Sequence, residues 1–184
     1  MTTFEYLAVA YSLLFSITAL RLVGALPYVF RRDRVYGVHA AIVVLLIFAI
    51  TFNFWTFLGY QNIEWTFIKF LGLLAIPATL YFMASMLVPD HPELVESWKE
   101  HYYHRRVQYF SGHIGWMVIA IINTTFILDL PLTHPMRGLQ VAFLIIGLCS
   151  LGSKREIVHR AMVGCVFILF IIIVLYDRLV WMSY

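Results

Sequence analysis

Long uncharged stretches alternate along the chain with short charged ones. No Asp, Glu, Lys or Arg occurs between Glu5 and Arg21, Arg34 and Glu64, Lys69 and Asp90, Arg106 and Asp129, Arg137 and Lys154, or Arg160 and Asp177. A helix needs about 20 residues, range roughly 17–25, to cross the hydrocarbon core of a bilayer. Completed by flanking residues where short, the six runs predict helices near residues 4–26, 38–60, 65–88, 108–130, 136–153 and 159–182. The fifth rests on the shortest uncharged stretch. Barrel strands would alternate in polarity, and AIVVLLIFAI at 41–50 does not. Lipid also leaves unpaired backbone groups without partners, which favours helices. The first run carries Glu5, lacks a basic leader and shows no small-residue cleavage site, so it reads as a retained span. The expected fold is all-α: one polytopic transmembrane domain over residues 1–184, six helices arranged as three hairpins.

One segment outside the spans is long enough to hold structure: PDHPELVESWKEHYYHRRV, residues 89–107. Asp90 before Pro92, with Glu93 and Glu96 following, resembles a helix start. Leu94, Trp98 and Tyr102 recur every four residues as an apolar stripe. These features predict a short amphipathic helix over about 92–106, lying on the cytoplasmic surface and feeding the fourth span. Glu96, Glu100 and His104, at i, i+4 and i+8, would share a face and form a candidate metal set. The competing reading is a solvated face with Glu100–His104 support.

The HYYHRRVQYF segment at 101–110, after a helix ending in LVPD, resembles a motif of bacterial inner-membrane proteins of similar length. In those proteins His-Tyr-Phe and His-Arg-Arg residues stand between two apolar runs. RRDRVYGVH at 31–39 extends the likeness. The resemblance implies a six-helix membrane protein and carries no activity.

Composition agrees with the pattern. Apolar residues are 62% of the chain and charged residues 12%, against roughly 45–50% and 25% in soluble domains. A soluble globular domain, a disordered chain and a nucleic-acid binder are thereby excluded. Charge also orients the spans. Nine basic residues (Arg31, Arg32, Arg34, Lys99, Arg105, Arg106, Lys154, Arg155 and Arg160) fall in the loops of one face, and three (Lys69, Arg137 and Arg178) on the other. The positive-inside rule then places both termini outside, on the periplasmic face of a bacterial inner membrane. Trp98, Tyr102 and Tyr109 are expected in the aromatic belt of the inner boundary. Cys149 and Cys165 read as two small buried residues.

Each cytoplasmic turn is followed by a histidine early in the returning helix: His39, His113 and His159. Converging, they could ligate a metal or haem or sense pH; apart, each is an interfacial residue with a local partner. No carboxylate or cation falls mid-span. Asn53 and Asn123, with Thr124, are the intramembrane polar candidates, either as interhelical glue or as the lining of a pore. Near the outer boundary Lys69 is expected to pair with Asp129 or Asp177 as a charge clamp.

No Ser–His–Asp set, HExxH motif or nucleotide loop is present, so a non-enzymatic role is expected, with no cofactor. The leading expectation is an accessory, scaffold or sensor subunit that contacts the bilayer, other membrane-protein subunits or further copies of itself. The alternatives are an oligomeric passive channel lined by Asn53 and Asn123, and a haem- or metal-binding membrane protein.

Overall fold

The computed structural model describes residues 3–181, with side chains through Tyr176. Among the described residues the protein is all-helical: α1 Thr3–Val29, α2 Gly37–Thr56, α3 Phe67–Leu87, α4 Trp98–Phe126, α5 Met136–Gly152 and α6 Glu156–Trp181. A 3-10 turn, Phe57–Tyr60, prolongs α2. The segments Thr3–Val29, Gly37–Tyr60, Phe67–Leu94 and Glu156–Tyr176 are long and apolar enough to cross a membrane. At 17 residues α5 is apolar but shorter, rising about 25 Å at 1.5 Å per residue. Only the second half of α4 is apolar, because its first turns carry the WKEHYYHRR sequence.

The chain runs up and down, so the last turns of α1, α3 and α5 gather at one end. The connections there carry Arg31, Arg34, Lys154 and Arg155; we call it the basic end. Helices α3, α4 and α5 pack as a central layer, with α1 and α2 against α3 and α6 against α5 and α2. Leu73, Leu80, Met83 and Phe110 fill the centre. Outward faces remain apolar: Leu13, Ile17 and Leu20 on α1, and Phe167, Ile171 and Val174 on α6, are exposed. A row of such residues is unusual on a water-facing surface and ordinary on a lipid-facing one.

The 92–106 segment departs from the expected separate helix. Pro92–Leu94 makes only a 3-10 turn. Ser97 Oγ then accepts the N–H of Glu100 and caps one uninterrupted helix from Trp98 to Phe126. Asp90 instead pairs with Arg21 at 2.8 Å, and the backbone at Val95 and Ser97 is extended, so no helix runs from Asp90 into α4. The expected stripe breaks as well: Leu94 is 72% exposed while Trp98 and Tyr102 are buried. These rings, with Tyr109, are buried in the core. Both cysteines are exposed, contrary to the expected burial.

Two glycines set the spacing of the central layer. A Cβ on Gly112 would lie 2.9 Å from both Met83 and Phe82 of α3, and one on Gly147 would lie 2.6 Å from the His113 ring of α4. Around Gly115, Gly152 and Gly164 there is open space. Gly147→Ala should therefore lower stability by about 1–3 kcal/mol, the usual cost of overpacking. Gly115→Ala should leave it unchanged or raise it slightly. Thermal unfolding of the purified variants in detergent checks both.

Candidate functional site

A helix leaves its last four carbonyls without intrahelical partners, and a buried carbonyl left unpaired costs about 1–3 kcal/mol. At the basic end three such helix ends meet, and side chains from other helices satisfy them. On α3, His101 Nε2 donates to Met86 O (3.1 Å), His39 Nε2 to Leu87 O (3.0 Å) and Arg21 to Val88 O (2.7 Å). Three successive carbonyls are thus bound from α4, α2 and α1. On α5, Arg106 Nη1 reaches Ser150 O and Leu151 O, each at 3.1 Å, and also Ser153 O. His159 Nε2 donates to Ser153 O at 2.9 Å. On α1, Trp98 Nε1 donates to Tyr28 O at 2.9 Å. The partial negative charge of helix C-termini favours cationic and N–H donors here.

Helix α4 organises this end through its buried positions Trp98, Tyr102, Arg106, the adjacent Tyr109 and Phe110, and His113, which recur at helical spacing. Arg105, one residue from the buried Arg106, is exposed. Trp98 stacks on His39 at 4.7 Å between ring centroids. Tyr102 O–H donates to His159 Nδ1 at 2.8 Å, since the Nε2 of that ring is committed as a donor.

His39, His113 and His159 therefore do not converge. His113 Nε2 donates to Phe143 O at 3.0 Å, so each Nε2 serves a different carbonyl. Among the described residues no group of three His, Cys, Asp or Glu side chains is placed to hold a metal. The Glu96, Glu100 and His104 set is broken because Glu96 precedes the Ser97 cap and lies outside the helix; all three are exposed.

At the opposite end, the expected clamp is also absent. Lys69 Nζ donates to Glu64 O at 3.1 Å, and among the described residues it forms no ion pair with Asp129. Asp129 occupies the left-handed position (φ 50°) of the turn closing α4 and is exposed, a conformation that Asp tolerates better than most residues. The Asp177 side chain lies outside the described residues. An unpredicted cluster stands nearby. Arg137 donates to Thr124 Oγ1 (2.7 Å), Gln140 Oε1 (3.1 Å) and Leu130 O (2.7 Å), and Gln140 Nε2 donates to Thr124 Oγ1 (3.1 Å). The i, i+3 spacing of Arg137 and Gln140 was the available signal in the sequence; their partner Thr124 was not visible there.

Next to this cluster lies a cavity of about 270 Å³ whose polar lining is Tyr11, Asn53, Thr56, Tyr60, Thr124 and Gln140. Trp116, 7% exposed, also lines it, and its buried Nε1–H has no partner among the described residues. The cavity is wide enough for water or a small ligand. Of the expected intramembrane polar residues, Asn53 and Thr124 line this cavity. Asn123 does not: its Nδ2 donates to Gly72 O of α3 at 2.7 Å. Asn53 Nδ2 bonds within its own helix, to Ala49 O, so no Asn53–Asn123 bond forms. Toward the basic end only a gap of about 30 Å³ continues inward, among His113, Trp116 and Phe143.

Comparison with protein families, curated proteins and solved structures finds no match to this chain. The HYYHRRVQYF segment is explained here by its own contacts, since His101, Tyr102, Arg106, Tyr109 and Phe110 are all part of the capped basic end.

Arg106→Leu should destabilise the fold by about 2–5 kcal/mol, because two or more carbonyls lose their donor. Arg105→Leu should stay within about 0.5 kcal/mol; chemical or thermal unfolding of the two variants compares them. Acid should act through His101, in the first turns of α4. Burial chiefly, with Arg105 and His104 nearby, holds its pKa below the ordinary imidazole value. The unfolded chain takes up this proton below about pH 6.5 while the folded chain resists it. The His101 contribution is therefore complete at neutral pH and lost as the pH falls. His101→Gln, which keeps a donor for Met86 O, should show a smaller fall in Tm between about pH 7 and pH 5 than the parent.

Proposed function

We propose that the chain is a six-span integral protein of a bacterial inner membrane, with both termini on the periplasmic face, and that it acts by binding, without catalysis. Its role is that of an accessory, scaffold or sensor subunit meeting lipid, other membrane-protein subunits or further copies of itself. The observation that carries this reading is how the interior polar groups are used. Arg21, His39, His101, Arg106 and His159 are committed to helix-end carbonyls, and His113 to a carbonyl within α5. None of these side chains is left as a nucleophile–base pair or a set of metal donors. The exposed apolar faces of α1 and α6 support contact with lipid or with another helix.

Conduction receives less support. Asn53 and Thr124 line the cavity, but Asn123 is turned to Gly72, and Phe110, Trp98 and Tyr102 fill the interior toward the basic end. Haem or metal ligation by His39, His113 and His159 receives less still, because the three rings lie against separate carbonyls, of Leu87, Phe143 and Ser153, and among the described residues no three potential ligand side chains come together.

The test is capture of the tagged full chain from gently solubilised membranes, with flux measured separately in liposomes. A stoichiometric membrane subunit or a defined homo-oligomer should be recovered. Ile171→Ala with Val174→Ala on the exposed face of α6 should weaken recovery without lowering Tm. A solute flux abolished by Asn53→Leu would replace this reading with the channel.

A further inference from the structure

We infer that the cavity beside Thr124 and Gln140 is a binding site for the head of an uncharged, oxygen-headed lipid that enters from the bilayer between α2 and α6. The inference deepens the binding reading above and rests on the chain spanning a membrane.

The chemistry of the lining selects the head. No Asp, Glu, Lys or Arg lines the cavity, so a cationic head would be buried there without a counter-ion. Arg137 stands behind the wall with its Nη atoms already engaged by Thr124, Gln140 and Leu130, so an anionic head would have to break those bonds to pair with it. What faces the space is a set of uncommitted neutral groups. Among the described residues, no hydrogen bond engages the hydroxyls of Tyr11 and Tyr60, which line the cavity. Tyr11 is 1% exposed and Gln140 7%, so these polar groups belong to the interior. Each of these hydroxyls can donate one hydrogen bond and accept others. A carbonyl or hydroxyl oxygen satisfies their O–H groups, and a hydrocarbon leaves them unpaired.

The route follows from what adjoins the cavity. A groove of about 590 Å³ runs between α2 and α6, and its lining is almost wholly apolar. Phe52 and Phe170 line both the groove and the cavity. Two rings therefore separate a polar-ended interior from a cleft open to lipid. A molecule whose head sits by Tyr11 and Tyr60 can lay its tail past Phe52 and Phe170 into the groove. The remainder of the cavity wall, such as Met117, Ala120 and Phe143, is apolar and suits a ring or short chain.

The full chain in detergent is mixed with decylbenzoquinone and examined by native mass spectrometry. Decylbenzene, decanoate and decylamine serve as matched probes without oxygen or with charge. A one-to-one quinone adduct is expected, with each matched probe at least about tenfold weaker. Ala120→Phe, which fills the cavity, should abolish the adduct. Tyr60→Phe, which keeps a ring and removes the O–H, should weaken it about fivefold. Circular dichroism establishes that each variant is folded, and Tyr60→Phe decides the matter if Ala120→Phe is not. The inference is overturned if the folded parent gives no quinone adduct, if a charged probe or decylbenzene binds equally, or if the folded variants bind as the parent does. A chain that stays with the membrane fraction yet takes up no quinone refutes this inference and leaves the membrane reading standing; recovery in the soluble fraction refutes that reading itself.

Discussion

The structure depends on one constraint: the last carbonyls of α3 and α5 end among packed side chains and must find donors there. Hydrogen bonds from Arg21, His39 and His101 to α3, and from Arg106 and His159 to α5, meet that demand. Each donor comes from another element of the bundle. A bond of this kind fixes the rotation of the donating helix and its depth against the acceptor at once. Apolar packing between smooth helices does this poorly, because many rotations bury similar area. A few polar residues thereby specify one arrangement for a chain that is otherwise mostly hydrocarbon.

The two ends of the bundle use polarity differently. At the basic end, donors and carbonyls are matched, and aromatic rings close the gaps: Trp98 stacks on His39, and Tyr102 bridges to His159. At the other end Arg137 braces the close of α4 through Thr124 and Leu130, beside the cavity lined by Tyr11, Tyr60 and Gln140.

The histidines show where one-dimensional reading succeeds and where it stops. Their repeated placement after basic turns was legible as a pattern, and so was the alternation of uncharged and charged stretches that marks the six helices. Their partners were not. His39 bonds to Leu87 of α3 and His113 to Phe143 of α5, pairings set by which helices become neighbours. Likewise Arg105 and Arg106 are equivalent as adjacent letters, yet one is exposed and the other buried on carbonyls of α5. The 92–106 segment was misread because Asp90 has the chemistry of a cap, but the backbone is extended at Val95 and Ser97, and Ser97 caps the helix instead.

Charge spacing and hydropathy alone determined that the chain is helical, roughly where each helix lies, and that no charged residue interrupts the middle of a span. These are local properties: length, periodicity and the cost of an unpaired backbone act within one segment. Only the tertiary structure decided which polar side chains became caps, that Asn123 faces Gly72 while Asn53 faces a cavity, and that Thr124, Gln140 and Trp116 share one wall. The physical reason is that a hydrogen bond needs two groups within about 3 Å, and which groups meet depends on how the helices rotate and dock. In a bundle with so few polar residues, that docking settles nearly everything the site can do.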